Sequence, residues 1–328
     1  MVTIQEVAAR AGVSVGSVSR YLNGHQLKEQ NMKKIKKAID DLDYRENLFA
    51  KGLKSNQTLS IGVLMNNMQS VFSSTLIGQI EEEMDYHNYG ILLNSYRNRP
   101  EMLEQKFDFL VDRHVDGLIA FEIENDWPVL ARMENLEIPV ISINTKLAYP
   151  NVDSIVVNNR ESTKKIVKRI IQAGHQQIGI ISAPQTASVA KDRLAGALEA
   201  VEEEGFPLEN AEIYYGDYSQ KTGYEGMRAL IKRGIRTFFV TNYNMSLGAL
   251  QYIFESGLKI GEDISFASYD YPGVSDIVYP QLTVVRQPVN QMGIMAVERM
   301  FERIRNPQLT GETFVLPNEI LWRDSIKE

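Results

Sequence analysis

Arg20 ends a short run of small and polar residues, Ser14-Val15-Gly16-Ser17-Val18-Ser19-Arg20. A guanidinium so placed can donate twice to the edge of a guanine, and the small neighbours let such a helix enter a major groove without steric bulk. Val15 can meet a thymine methyl, while Gly16 brings no side chain, so a base beside it is poorly read or closely approached. Signatures of common enzyme chemistries do not occur: there is no G-x-G-x-x-G after a strand and no Walker loop. The four histidines, His25, His87, His114 and His175, show no metal-ligand spacing, and His175 reads as a helix-to-strand turn residue. With no cysteine there is no disulfide or thiolate chemistry. The expectation is recognition rather than catalysis, with no cofactor and no metal.

The elements that must position Arg20 are two short helices and a tight turn. Ile4, Val7, Ala8 and Ala11 recur at helical spacing. Gly12 falls where that helix must stop, in a left-handed position that suits glycine. Ser14 then caps a second helix that buries Val18 and Leu22. An ordinary helical hairpin shares this spacing. A third helix follows a loop over 24–30, with Ile35, Ala38, Ile39 and Leu42 on its apolar side. The cluster Lys33, Lys34, Lys36 and Lys37 suits either a solvated face or phosphate contacts that position without reading sequence.

Charge divides the 328 residues. Residues 1–57 carry ten Lys/Arg against six Asp/Glu, a net +4, and the rest carry 25 against 36, a net −11. A basic head on an acidic body suits a small DNA-binding module joined to a domain that does not touch DNA. From residue 60 onward, strands expected over 61–65, 90–95, 117–121, 139–143, 155–157, 178–182, 212–215, 237–240, 265–268 and 282–285 alternate with amphipathic helices, such as 79–87, 163–173, 193–204 and 291–305. Such alternation predicts parallel sheets with right-handed crossovers, and the strand count suits two sheets. No apolar run is long enough to span a membrane, and no basic-then-apolar secretion signal opens the chain, so a cytoplasmic location is expected.

The opening stretch, from Thr3-Ile4-Gln5-Glu6-Val7-Ala8 through Ala11-Gly12-Val13-Ser14 to Val18-Ser19-Arg20-Tyr21-Leu22-Asn23, closely resembles the headpiece of the lac/gal repressor (LacI/GalR) family of bacterial transcriptional regulators. Further matches are Val115-Asp116-Gly117-Leu118-Ile119, Ala173-Gly174-His175, Pro280-Gln281-Leu282-Thr283 and Leu321-Trp322-Arg323-Asp324-Ser325, so the resemblance covers essentially the whole chain. It implies an all-α helix-turn-helix headpiece (1–45), a hinge helix or linker (46–58) and an effector-binding and dimerisation core (59–328). The core would be periplasmic-binding-protein-like, with two similar α/β subdomains, roughly 59–159 with 287–316 and 160–286 with 317–328.

The resemblance also assigns residues. Thr3, Ser14, Ser17, Ser19 and Asn23 match phosphate-binding positions, although local helix polarity accounts equally for Ser17 and Ser19. Val15 and Gly16 lie at positions that set operator choice. In the hinge, Tyr44, Asn47, Ala50 and Leu53 match, with Leu53 as the apolar wedge inserted in the minor groove. Glu46 stands where proline is usual, and Gly52 weakens the hinge helix by roughly 1 kcal/mol relative to alanine. In the core, Arg193 and Asp270 match residues that hold ligand hydroxyls, unless they form a structural ion pair. Asn242 matches a third cleft position, Tyr218 an aromatic that stacks on a sugar ring, and Phe72 is placed to close the other side. Tyr243 stands where aspartate is usual. The implied protein is a repressor of carbohydrate-use genes, homodimeric on a pseudo-palindromic operator and switched by a sugar-type effector. A dimer rather than a tetramer is expected because no heptad segment follows the last motif. Alternatives are a catabolite regulator driven by a phosphocarrier protein, a corepressor-driven purine regulator, and a sugar-binding protein with no DNA role.

Overall fold

The computed structural model describes residues 2–22, 24–44, 57–97, 99–270 and 273–327, without the side chain of Asp270. Asn23, Asn47, Ala50 and Leu53 lie outside the described residues. The chain divides into two compact units, Met1–Leu59 and Ser60–Glu328.

In the first unit, α1 (Ile4–Ala11), α2 (Val15–Leu22) and α3 (Glu29–Leu42) close around Val7, Ala8, Ala11, Val18, Ile35 and Ala38. Full burial of an apolar side chain such as Val7, Val18 or Ile35 contributes about 1.5–3 kcal/mol. Thr3 and Glu6 form a reciprocal capping box at the start of α1: Glu6 N–H donates to Thr3 Oγ1 (3.3 Å) and Thr3 N–H to Glu6 Oε2 (2.7 Å). Gly12 stops the helix at φ 64°, its N–H donating to the carbonyls of Ala8 and Ala9. Ser14 Oγ accepts from Ser17 N–H at 3.2 Å and so caps α2.

The second unit contains two six-stranded sheets. The first contains β1 (Ser60–Met65), β2 (Gly90–Ser95), β3 (Gly117–Phe121), β4 (Val140–Ile143), β5 (Val152–Val157) and β11 (Thr313–Leu316), in the order β11-β5-β4-β3-β1-β2, all parallel. The second contains β6 (Ile178–Ser182), β7 (Ala211–Tyr215), β8 (Thr237–Val240), β9 (Ser265–Asp270), β10 (Thr283–Arg286) and β12 (Glu319–Leu321), in the order β12-β10-β9-β8-β6-β7. Here only β12 runs antiparallel to its neighbour.

Helices cover both faces, as parallel sheets require. On β1, Ile61, Val63 and Met65 enter the core shared with α4 (Val71–Tyr86) and α12 (Val289–Arg305), while Leu64 enters the opposite core with α5 (Leu103–Val111) and α6 (Val129–Glu134). The second sheet is covered by α7 (Asn159–Gln172) and α8 (Ser188–Glu203) on one side, and by α9 (Gln220–Lys232), α10 (Tyr243–Glu255) and the short α11 (Val274–Ile277) on the other. The chain passes between the sheets three times: before α7, before α12 and between β11 and β12.

Several boundaries differ from the sequence expectation. Strand β5 starts at Val152 rather than 155, and β11 and β12 were not expected at all. The latter are edge strands of four and three residues with partly exposed side chains, so neither shows a buried apolar run. Helix α4 starts at Val71 rather than 79 because Ser70 caps it, and its first turns are rich in Ser and Thr. Likewise α7 and α8 begin four to five residues before the expected 163 and 193.

Candidate functional site

The carboxyl ends of the strands in both sheets lead into one cavity of about 120 Å³. Ligands of open parallel sheets bind in crevices outside these strand ends. From the first sheet come Asn66 after β1, Glu122 after β3 and Asn144 after β4; Phe72 and Ser73 come from the first turn of α4. From the second come Arg193 on α8, Tyr218 after β7, Asn242 and Tyr243 after β8, Tyr269 on β9 and Gln287 after β10.

Arg193 is 6% exposed. Its Nε donates to Asn159 Oδ1 (2.8 Å), one terminal nitrogen to the Thr241 carbonyl (2.7 Å) and the other to Gln287 Oε1 (3.1 Å). The guanidinium carbon lies 3.7 Å from the centre of the Tyr269 ring. That ring is itself fixed, because Tyr269 Oη reaches the hydroxyls of Thr163 (2.9 Å) and Ser162 (3.0 Å) and donates to the Asn159 carbonyl. Burial pulls the Arg193 pKa down, opposed by Tyr269, Tyr218 and Glu122; an arginine remains charged nonetheless. Burial pushes the Tyr218 hydroxyl above its usual range, so at neutral pH it is a neutral donor and acceptor.

Across the cavity, Glu122 holds a left-handed backbone at φ 52°. Asn66 Nδ2 donates to one of its carboxylate oxygens and Asn144 Nδ2 to the other (3.2 Å). Burial, with the charge of Glu124 beside it, raises the Glu122 pKa above the usual carboxylate value, and Asn144, Arg193 and Asn66 only limit the rise. Nearby, Glu124 receives both the N–H and the hydroxyl of Ser188 at the start of α8. A carboxylate at a helix N-terminus is favoured by the helix dipole, and this pair ties one sheet's loop to the other sheet's helix.

Of the effector residues expected from the sequence, Phe72, Arg193, Tyr218 and Asn242 line the same cavity. Asn242 also caps α10, accepting from the N–H groups of Asn244 (3.0 Å) and Met245 (3.3 Å), which leaves its amide nitrogen for other partners. The Asp270 side chain lies outside the described residues, but its backbone ends β9, next to Tyr269 of the lining. Sequence reasoning missed Asn66, Glu122, Asn144 and Gln287. Each follows the carboxyl end of a strand, and that rule was the signal that could have found them.

In the first unit, Val15, Gly16 and Arg20 are exposed along α2, and Ser17 and Ser19 are partly covered. Thr3 Oγ1 is engaged in the α1 cap, and Ser14 Oγ lies 2.9 Å from Ser17 Oγ. Among the described residues no cluster of His, Cys, Asp or Glu could hold a metal ion, and no helix is long and apolar enough to cross a membrane.

A helix-turn-helix unit followed by paired parallel sheets with a polar cavity at their strand ends defines a ligand-responsive DNA-binding regulator. Residues 3–47 match the family described as "Bacterial regulatory proteins, lacI family", and residues 58–318 that described as "Periplasmic binding proteins and sugar binding domain of LacI family". The chain belongs to the LacI family and is a DNA-binding transcriptional repressor, not an enzyme. It is 28% identical to the HTH-type transcriptional repressor PurR of Actinobacillus pleuropneumoniae serotype 3, over 100% of this chain and 99% of that one. The probable HTH-type transcriptional repressor ExuR of Bacillus subtilis is also 28% identical, with the same coverage. The lac repressor dimer bound to operator and the anti-inducer ONPF shares the fold at a TM-score of 0.88 and 27% identity, covering 100% of this chain and 99% of that one.

Proposed function

We propose that this repressor binds a pseudo-palindromic operator as a homodimer and is switched by a small carbohydrate-type ligand held in the cavity between its two sheets. The observation that carries the reading is the lining itself. Arg193, Glu122, Asn144 and the Asn242 amide offer directional donors and acceptors, and Phe72, Tyr218 and Tyr243 offer apolar ring faces. Polyhydroxylated ligands need both. Two similar proteins support the assignment: the lac repressor has been seen bound to ONPG, and the regulator CelR, 25% identical with a TM-score of 0.72, in complex with cellobiose. In the headpiece, Arg20 and Val15 read base edges, Gly16 lets the backbone approach a base closely, and Thr3, Ser14, Ser17, Ser19 and Asn23 contact phosphates. Asn47, Ala50 and Leu53 belong to the hinge that engages the minor groove.

The test is a thermal-shift screen against sugars, sugar acids, sugar phosphates and purines. A ligand at about 100 times its dissociation constant adds roughly 2.7 kcal/mol of stability, a readable rise in melting temperature. A response confined to one sugar class supports the reading. A response to purines alone, or to none of the panel in a protein that still binds DNA, overturns it.

A further inference from the structure

The two walls of the cavity differ in hydrogen-bonding character. The Arg193 wall carries a fixed positive charge and N–H donors. The facing wall offers acceptors. Both oxygens of Glu122 are already steadied by a carboxamide N–H, from Asn66 and from Asn144, yet a carboxylate has about four acceptor sites. Asn144, only 8% exposed, spends its amide nitrogen on Glu122, and its Oδ1 has no partner. Glu122 lines the cavity and is partly exposed, so a ligand that brings an O–H or N–H gains at its remaining acceptor positions. A ligand that brings an anionic oxygen meets a carboxylate whose two oxygens both act as acceptors.

We infer that Glu122 determines specificity: held by Asn66 and Asn144, it takes the hydroxyl or amino donors of a non-anionic sugar and excludes a carboxylate or phosphate from its end of the cavity. The inference rests on the carbohydrate reading for the class of ligand, but the exclusion of anions stands on the wall itself. Glu122 is also well placed to discriminate, since the two amides and the left-handed backbone hold it in one position. A rigid group cannot turn away from a like charge.

The experiment measures binding to the full chain and to its Glu122→Gln variant. The probes are glucose and galactose, each with its 2-amino, uronate and 6-phosphate derivative, and inorganic phosphate alone. The wild type is expected to bind a neutral or amino sugar at least about tenfold more tightly than the matching uronate or phosphate ester, the effect of one charge-assisted contact. In Glu122→Gln that ratio shrinks by about tenfold, and inorganic phosphate stabilises the variant but not the wild type. A uronate that binds the wild type as tightly as its neutral parent overturns the inference, even if the variant fails to fold. Equal phosphate responses in the two proteins also overturn it. If no sugar binds, the carbohydrate reading falls while the phosphate comparison still judges Glu122.

Discussion

Arg20 and Arg193 are both arginines, but their surroundings give them different roles. Arg20 is exposed on α2 beside small side chains and free to reach a base edge. Arg193 is buried and held by three elements. Arg20→Ala is therefore expected to cost about 1–3 kcal/mol on the best operator and markedly less on random DNA, read by fluorescence anisotropy; equal losses on both would remove its base-reading role. His175 sets a pH dependence. Its Nδ1 lies 2.9 Å from Thr237 Oγ1, and burial holds its pKa below the ordinary value of about 6.5. The unfolded chain thus takes up the proton first as pH falls. The stability contributed by the neutral ring is complete above about pH 6.5 and is lost as pH falls through the lower, folded value. The melting temperature of the wild type should fall more steeply between about pH 7 and pH 5 than that of His175→Gln. Parallel curves would show that this histidine is not responsible.

Helices α9 and α10 meet through glycine. A Cβ on Gly248 would lie 1.8 Å from the Gln220 carbonyl oxygen, and one on Gly223 would lie 2.0 Å from that of Met245. These are backbone atoms, so neither clash can be relieved by turning a side chain. The close approach brings Asn242, at the head of α10, and the loop before α9 that carries Tyr218 to the same cavity. Gly248→Ala is expected to destabilise by about 2–3 kcal/mol and to lower the melting temperature by about 5–10 °C. An unchanged melting temperature would mean that the helices separate freely. Elsewhere α12 is tied to β5 by charge. Asp153, with no exposed surface, accepts from Arg299 (2.8 Å) and Arg303 (2.9 Å) and from the Glu312 N–H at the approach to β11. Buried charges of this kind persist only when paired, which ties the edge strand β11 to its place in the sheet.

Across the whole molecule, the cavity and the DNA-reading helix belong to separate compact units, so a ligand can influence DNA only through a shared equilibrium. It shifts that equilibrium by its difference in affinity for the two states, and the coupling is reciprocal. Couplings of this kind are typically about 1–3 kcal/mol, so ligand should change operator affinity by about 5–150-fold, and operator should change ligand affinity by the same factor. Arg193→Ala should abolish the effect of ligand while leaving operator affinity in its absence within about twofold. An Arg193→Ala protein that still releases DNA on adding ligand would clear Arg193 of the role. The Glu124–Ser188 contact links the loop after β3 to the start of α8.

The sequence by itself determined whatever is local. The turn at Gly12, the Ser14 cap and the apolar spacing of α1 and α2 involve residues only a few positions apart, so the headpiece was legible. So were most strands, because both faces of a parallel sheet are buried and such strands read as short apolar runs. Arg193, Tyr218, Asn242 and Phe72 were reached through motif wording, and they converge on one cavity. Tertiary structure alone decided the rest. The edge strands β11 and β12 exist because they pair with β5 and β10, far away along the chain. Asn66, Glu122 and Asn144 share only their place directly after a strand. They meet because β1, β3 and β4 are neighbours in the sheet and end together, and only the strand order determines that.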